Sequence, residues 1–172
     1  SGFAAGPSTD GEVEDYVGSL IAVDRGDLPD GVVGLPSYPT LVANNGPAHV
    51  IVAGLRLGTV LDPETEGQPT AGANGDDSAP AGSPDDEDGV TVGDLTMAAN
   101  SNALVRVTAT NSTGTAARVC AYIDFDGDGD LTDAGESATA PVANGANNAV
   151  VALAFVVPPT AVRNTFARFR LG

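Results

Sequence analysis

Five short runs in the second half of the chain alternate apolar and polar residues. They are GVTVGDLTM, NALVRVTAT, AARVCAYIDF, NAVVALAFVV and TFARFRL. Side chains of an extended strand point to opposite faces in turn, so this alternation predicts strands that bury one face. The 22 Gly and 12 Pro residues interrupt most windows that have the period of an amphipathic helix. The length and spacing of the runs predict an all-β fold, an immunoglobulin-like antiparallel β-sandwich.

Two of the runs predict how individual strands are placed. In NALVRVTAT, Val105 and Val107 fall on one face while Arg106 and Thr108 fall on the other, as in a half-solvated antiparallel strand. In NAVVALAFVV, apolar residues occupy both faces. This second run is therefore predicted to be a central strand that is buried on both sides.

Composition divides the single predicted domain into three regions. Residues 1–18 predict a flexible linker followed by a short strand, GEVEDYV. Residues 19–90 are rich in Gly, Pro, Asn and Asp, and a strand pair is predicted around HVIVAGLRLGTVL. Residues 91–172 hold the core strands and an acidic loop. Loops as long as those of the middle region need something to hold them, so we expect a stabilising ligand there.

Carboxylates dominate the charge of the chain. It has 17 Asp, 6 Glu, 7 Arg and no Lys, for a net charge of −16. Such a charge repels a phosphate backbone, so no nucleic-acid partner is expected. No apolar run approaches the roughly 20 residues that cross a bilayer, so no membrane insertion is expected. The single cysteine, Cys120, excludes an internal disulfide and a thiolate zinc site.

The strongest chemical signal lies in residues 124–136. Asp124, Asp126 and Asp128 alternate in the segment DFDGDGD, which directs their carboxylates toward one point around a tight turn. Gly129 then permits the sharp bend that calcium loops need at this position. The pattern predicts a Ca²⁺ site, whereas Mg²⁺ is disfavoured because it keeps most of its water.

Two further acids complete the predicted site. Asp130 offers its backbone carbonyl, and Glu136 can supply a bidentate carboxylate. In an EF-hand loop this Glu is the twelfth residue, whereas Glu136 is the thirteenth, and the segment AARVCAYI before the loop predicts a strand. A calcium loop on a β scaffold is therefore expected. A solvated acidic turn without an ion is the alternative.

A second carboxylate cluster lies in residues 76–88. Two acidic segments flank SAPAGSP, which can fold back and bring them together. Without a cation these carboxylates repel one another, so the window admits one or more further Ca²⁺ ions that would stabilise the long insertion. A disordered acidic loop is the alternative. The candidate ligands are Asp76, Asp77, Asp85, Asp86 and Asp88.

Several segments, in order, resemble the GEVED-type domains that occur as repeats in large bacterial surface proteins. The matching segments are GEVEDYV, DRGDLPD, GPAHV, LRLGTVLDPETEGQP, GDD, DDEDGV, YIDFDGDGDL and RFRLG, which span nearly the whole chain. Arg25 and Tyr122 depart from the family pattern, which has an aromatic residue and Trp there. The resemblance implies a secreted, calcium-dependent module in a multi-domain protein of the bacterial cell surface or of an extracellular fibre.

The order of the segments implies a circular shift, because GEVEDY follows the RFR strand in domains of this type. Adjacent pairing of the two strands would set Glu12 and Glu14 against Arg168 and Arg170. Val13 would then lie on the apolar side. The expected partner is therefore a neighbouring copy of the chain, whose sandwich is completed by residues 1–18, including Tyr16. The alternative is an arm that folds back onto its own sandwich.

No catalytic constellation emerges from the sequence. His49 is the only histidine, no GxSxG motif is present, and the chain has no Trp for an aromatic sugar-cleaving cleft. The chain is therefore expected to be a structural repeat or subunit rather than an enzyme. The competing hypothesis is a calcium-dependent carbohydrate-binding or adhesin module for a surface glycan, although sugar platforms use exposed aromatic residues and this chain has few.

Overall fold

A computed structural model describes residues 14–75 and 87–172. Within these ranges the chain contains eight strands in three antiparallel sheets, and the only helices are single 3₁₀ turns. None of these turns is long or apolar enough to cross a membrane. The strands are β1 (Val23–Arg25), β2 (Ala48–Val50), β3 (Leu55–Leu57), β4 (Ser101–Asn111), β5 (Ala117–Ile123), β6 (Ser137–Val142), β7 (Ala146–Val157) and β8 (Ala167–Leu171). The predicted all-β character is confirmed.

Two three-stranded sheets, β3-β4-β7 and β6-β5-β8, enclose the core. The predicted alternation of β4 is confirmed, because Val105 and Val107 are fully buried while Arg106 is exposed. Opposite them, β5 contributes Val119 and Ile123 to the same apolar cluster. The two sheets therefore share one core in a sandwich-like arrangement, in which each fully buried Val or Ile side chain contributes about 1.5–3 kcal/mol.

Two strand predictions are wrong. Among the described strands β7 pairs only with β4, so β4 and not β7 is the central strand of its sheet. Val150 and Val156 on the outer face of β7 are 65% and 71% exposed, so that face is not buried. The run GVTVGDLTM forms a single bridge from Val90 to Val107 and then a 3₁₀ turn at Val92–Leu95. Asp94 in this turn pairs with Arg106 of β4, which replaces the expected ladder by a side-chain contact.

In residues 14–75 most of the chain lies outside strands. This range contains three strands of three residues. The segment HVIVAGLRLGTVL forms β2 and β3, which do not pair with each other as predicted: β2 pairs with β1, whereas β3 pairs with β4 and joins the loops to the main sheet. Carboxylates hold several of the loops. Asp30 accepts hydrogen bonds from the backbone N–H groups of Thr40 (3.0 Å) and Leu41 (2.9 Å) and from Asn44 Nδ2 (2.7 Å).

Candidate functional site

The loop of residues 124–136 connects β5 to β6. Beyond the last paired residues of the two strands, the Ile123 N–H donates to the Glu136 carbonyl at 2.8 Å. Asp124 and Glu136 therefore stand at the mouth of the loop, where the sheet holds them. Strands flank the loop on both sides, as predicted for a loop on a β scaffold, and its predicted binding of calcium stays a prediction.

Three carboxylates of this loop converge. One oxygen each from Asp124, Asp126 and Asp128 lies within 4.8 Å of the other two, so one cation can contact all three. Asp124 is fully buried, whereas the other two are exposed. Gly127 and Gly129 have φ of 77° and 94°, a left-handed conformation that glycine adopts at no steric cost. The alternation of Asp and Gly thus produces the convergence.

Asp124 is fixed by donors from the loop and from a distant segment. Its carboxylate accepts from the Gly127 N–H (2.5 Å), the Gly129 N–H (3.1 Å) and the Tyr38 hydroxyl (2.6 Å). Burial and the neighbouring Asp124 carboxylate raise the pKa of Tyr38, so this phenol remains a hydrogen-bond donor. The Thr165 hydroxyl donates to the Asp124 backbone carbonyl. The first of the three converging carboxylates is therefore held in one orientation.

Glu136 lies beside this cluster but is incompletely satisfied. It is 3% exposed, and its Oε1 accepts from the Phe125 N–H at 2.7 Å. Its Oε2 is buried and has no hydrogen-bond partner among the described residues. Burial raises the pKa of Glu136, and the charges of Asp124 and Asp126 add to that effect. A buried carboxylate oxygen without a partner is costly, and a cation would remove that cost.

Asp130 has a different role from the three converging acids. Its Oδ1 accepts from the backbone N–H (2.7 Å) and the hydroxyl (2.9 Å) of Thr132. These bonds lower the pKa of Asp130. Its side chain is therefore used within the loop. Only its backbone carbonyl, the group that the sequence analysis predicted, is left to contact a cation. Neither Asp130 nor Glu136 belongs to the group of three oxygens within 4.8 Å.

Of the second predicted cluster, Asp88 alone falls within the described residues. Both of its carboxylate oxygens accept from the Thr59 N–H, at 3.0 and 2.9 Å, and one also accepts from the Thr59 hydroxyl. Asp88 therefore joins the segment that precedes β4 to Thr59, which lies just after β3. Asp76, Asp77, Asp85 and Asp86 lie outside the described residues, so the predicted cluster stays a prediction.

The open edge of β8 forms a second candidate site. Arg118 of β5 and Gly172 exchange two backbone hydrogen bonds, at 2.8 and 3.1 Å, and the Asp124 N–H donates to the Phe166 carbonyl at 3.1 Å. Successive residues of an antiparallel strand direct their N–H and C=O groups to opposite sides, so every second residue between Phe166 and Gly172 directs these groups away from β5. No backbone group of the described residues forms a hydrogen bond with this outer edge. These outward-facing residues are Ala167, Phe169 and Leu171.

A cavity of about 510 Å³ lies along this edge, between β8 and strands β1, β2 and β3. Four of the seven arginines of this acidic chain line it, namely Arg25, Arg56, Arg168 and Arg170. The buried Nε atoms of Arg25 and Arg56 have no hydrogen-bond partner in the described ranges. Asp24 and Asp27 also line the cavity, so its lining carries an excess of positive charge that is smaller than the four arginines alone would give.

The two arginines named by the sequence contact loop residues of their own chain. Arg168 donates to the Pro39 carbonyl (3.0 Å) and to Thr40 Oγ1 (2.9 Å), and Arg170 Nε donates to His49 Nε2 (2.8 Å). Burial and the neighbouring Arg170 lower the pKa of Arg168 to about 10. His49 thus has a structural contact at the edge of the cavity.

The described part of the N-terminal arm does not contact these arginines. Glu14 accepts a hydrogen bond from the Tyr16 hydroxyl, and Tyr16 and Val17 are 83% and 99% exposed. Residues 14–20 form no strand. Glu12 and Val13 lie outside the described residues. The predicted strand pairing of the arm therefore stays a prediction, and the side chains of Tyr16 and Val17 face solvent.

Sequence reasoning missed the partners that come from distant loops. Tyr38 and Asp124 are separated by 86 positions, and no local pattern marks either Tyr38 or Thr165 as part of the site. Arg25 and Arg56 were likewise not assigned to the edge of β8, because only the folded loops bring them there.

Comparisons with protein-family models, with curated proteins and with solved structures found no match to this chain.

Proposed function

We propose that this chain is a calcium-binding structural module of a bacterial extracellular fibre or surface protein, of the GEVED type. The observation that carries the proposal is the convergence of Asp124, Asp126 and Asp128 beside the orphaned Oε2 of buried Glu136. Several carboxylate oxygens in a flexible loop suit Ca²⁺, whereas Mg²⁺ demands near-ideal octahedral geometry and gives up its water reluctantly. The ion neutralises a cluster that otherwise repels itself.

In this proposal the ion joins the ends of β5 and β6, and its role is structural. Ligand binding to the folded chain alone stabilises it by about 2.7 kcal/mol at a free concentration of 100 times Kd. Because Tyr38 and Thr165 contact Asp124, stabilisation of the loop also reaches the segment around Tyr38 and the segment before β8. An immunoglobulin-like sandwich stiffened in this way is suited to bear load in a surface protein.

Calorimetric titration with Ca²⁺ and Mg²⁺ tests the metal assignment. We expect Ca²⁺ to bind the loop more tightly than Mg²⁺, and Asp128→Asn to abolish that binding event. Asp133→Asn is the matched control, because Asp133 is an exposed acid of the same loop that lies outside the converging group. Equal binding by the Asp128→Asn variant and the unchanged chain would rule out this site.

We further propose that the modules link head to tail by strand complementation, with the arm of one copy along β8 of the next. Support comes from the unpaired edge of β8 and from the four arginines of its cavity. The exposed apolar residues at the end of the arm also need a partner surface. Glu12 and Glu14 of the arriving strand would approach the arginines, and its peptide groups would bond to the outward edge of β8.

Sedimentation of the full chain over a range of concentrations tests this linkage. We expect self-association that weakens with added salt and that Glu14→Lys reduces at least tenfold. Asp133→Lys makes the same charge change at an exposed position away from the arm and should leave association intact. A chain that stays monomeric at millimolar concentration would contradict strand exchange without affecting the calcium assignment.

A further inference from the structure

A pair of carboxylates, one buried and one half-buried, lies in the loops, far along the chain from residues 124–136. The Glu64 N–H donates to the Val23 carbonyl at 2.9 Å, and Glu64 Oε2 accepts from the Arg25 N–H at 2.8 Å. Glu64 therefore continues the hydrogen bonding of β1 as a third segment would. These two bonds fix both its backbone and one of its carboxylate oxygens.

The other oxygen of Glu64 has no donor. Glu64 is 9% exposed, and its Oε1 has no hydrogen-bond partner within residues 14–75 and 87–172. Oδ1 of the neighbouring Asp62 is also buried and equally without a partner there. The two carboxyl groups lie within hydrogen-bonding range of each other, and the charge of Asp24 acts on the pair. Ionised carboxylates only accept hydrogen bonds, so none of these groups satisfies another.

We propose that Asp62 and Glu64 form a second binding site for a hard divalent cation of the Ca²⁺ class, with Asp24 adding negative charge beside it. Carboxylate oxygens without nitrogen or sulfur ligands select such cations. Asp62 is half-buried, so the site opens toward solvent and water molecules can fill the remaining coordination positions. The inference does not depend on the Asp124 loop.

The competing arrangement is a proton shared between the two carboxyl groups. Burial raises the pKa of Glu64 to about 8, and the charges of Asp24 and Asp62 add to the increase, so a proton would be held at neutral pH in the absence of metal. One proton removes one charge, whereas a divalent cation removes two and contacts both orphaned oxygens. Neither Asp62 nor Glu64 forms an ion pair with an arginine of the described residues.

Metal binding at this site also explains how the long loop is held. Residues 58–75 contain no strand, and Glu64 provides their hydrogen bonds to β1. A loop of this length in a compact domain needs such an anchor. A cation on Asp62 and Glu64 would join two points of the loop to β1 through a carboxylate that already accepts the Arg25 N–H.

Calcium titration followed by ¹⁵N NMR of the full chain reads the two sites separately. The Arg25 amide donates to the Glu64 carboxylate, and the Gly127 and Gly129 amides donate to Asp124. We expect CaCl₂ to shift the Arg25 amide in the unchanged chain and in the Asp128→Asn variant. Asp62→Asn should abolish the Arg25 shift while the shifts of the two glycine amides persist.

Equilibrium dialysis with radioactive calcium measures the number of ions that each chain binds. Asp62→Asn and Glu64→Gln should each bind one ion fewer than the unchanged chain, and Asp15→Asn, at an exposed position, should bind the same number. If Glu64→Gln fails to fold, the number of ions bound by the Asp62→Asn variant tests the proposal, because Asp62 is only half-buried. An Arg25 amide that responds to pH but not to CaCl₂, with an unchanged count in Asp62→Asn, would establish the shared proton and overturn the proposal.

Discussion

The strands of residues 101–172 and the loops of residues 14–75 satisfy their backbone hydrogen bonds in different ways. In the strands, long ladders pair the backbone groups, and alternate apolar side chains fill one core. In the loops, carboxylates accept from backbone N–H groups that have no neighbouring strand, as Asp30 does for Thr40 and Leu41 and Glu66 does for Val42 at 2.6 Å. The acidic composition therefore has a structural use before any cation binds.

The two regions therefore depend on different forces. Burial of apolar area stabilises the strands, and it is insensitive to the state of charge of the chain. Charge-assisted hydrogen bonds hold the loops, and these depend on the ionisation of each acid. The two regions are joined by the β3–β4 ladder and by side-chain contacts, among them those of Tyr38 with Asp124 and of His49 with Arg170.

The largest effect is expected from a cavity in the core of the strands. Leu153 of β7 is 1% exposed, so Leu153→Ala should lower the free energy of unfolding by about 2–5 kcal/mol in urea denaturation. Val150→Ala on the exposed face of the same strand is the control and should change it by about 0.5 kcal/mol or less. Equal costs for the two variants would mean that the two sheets do not share a tight core.

A smaller and more local effect is expected from the loops. Asp30→Ala leaves the Thr40 and Leu41 N–H groups without their acceptor, which should cost about 1–3 kcal/mol. Hydrogen exchange of those two amides should accelerate more than that of the β4 amides. If the amides of β4 accelerate equally, the loops and the strands form one cooperative unit and the comparison between them fails.

The smallest effect concerns His49, where the loops meet β8. Burial and the nearby Arg170 lower the pKa of His49 below its ordinary 6.5, and its Nε2 accepts from Arg170. The unfolded chain therefore takes up a proton first as the pH falls below about 6.5, and this contribution to stability, present above that pH, is lost. The stability difference between the unchanged chain and His49→Gln should shrink between pH 7.5 and 5.5, measured by denaturation at each pH. A constant difference would contradict a neutral, accepting imidazole.

The sequence predicted the parts of the fold that local patterns determine. Alternation in NALVRVTAT identified the buried face of β4, and the spacing of Asp and Gly identified the loop in which three carboxylates converge. It did not predict strand order, because Val150 and Val156 are as apolar as buried residues and only pairing shows that they face solvent. It also missed Tyr38, because the contact of Tyr38 with Asp124 joins segments that no short-range pattern connects. The contact of Glu64 with Arg25 spans 39 positions and likewise follows only from the fold.

The most direct test of the calcium assignment is thermal melting of the full chain in saturating CaCl₂ and in chelator, with Asp128→Asn alongside. We expect calcium to stabilise the unchanged chain by about 2.7 kcal/mol at 100 times Kd, with a clear rise in Tm. Asp128→Asn should lose that part of the rise which comes from the 124–136 loop. A melting temperature that calcium does not change, or that rises equally in Asp128→Asn, would contradict a structural ion at Asp124, Asp126 and Asp128.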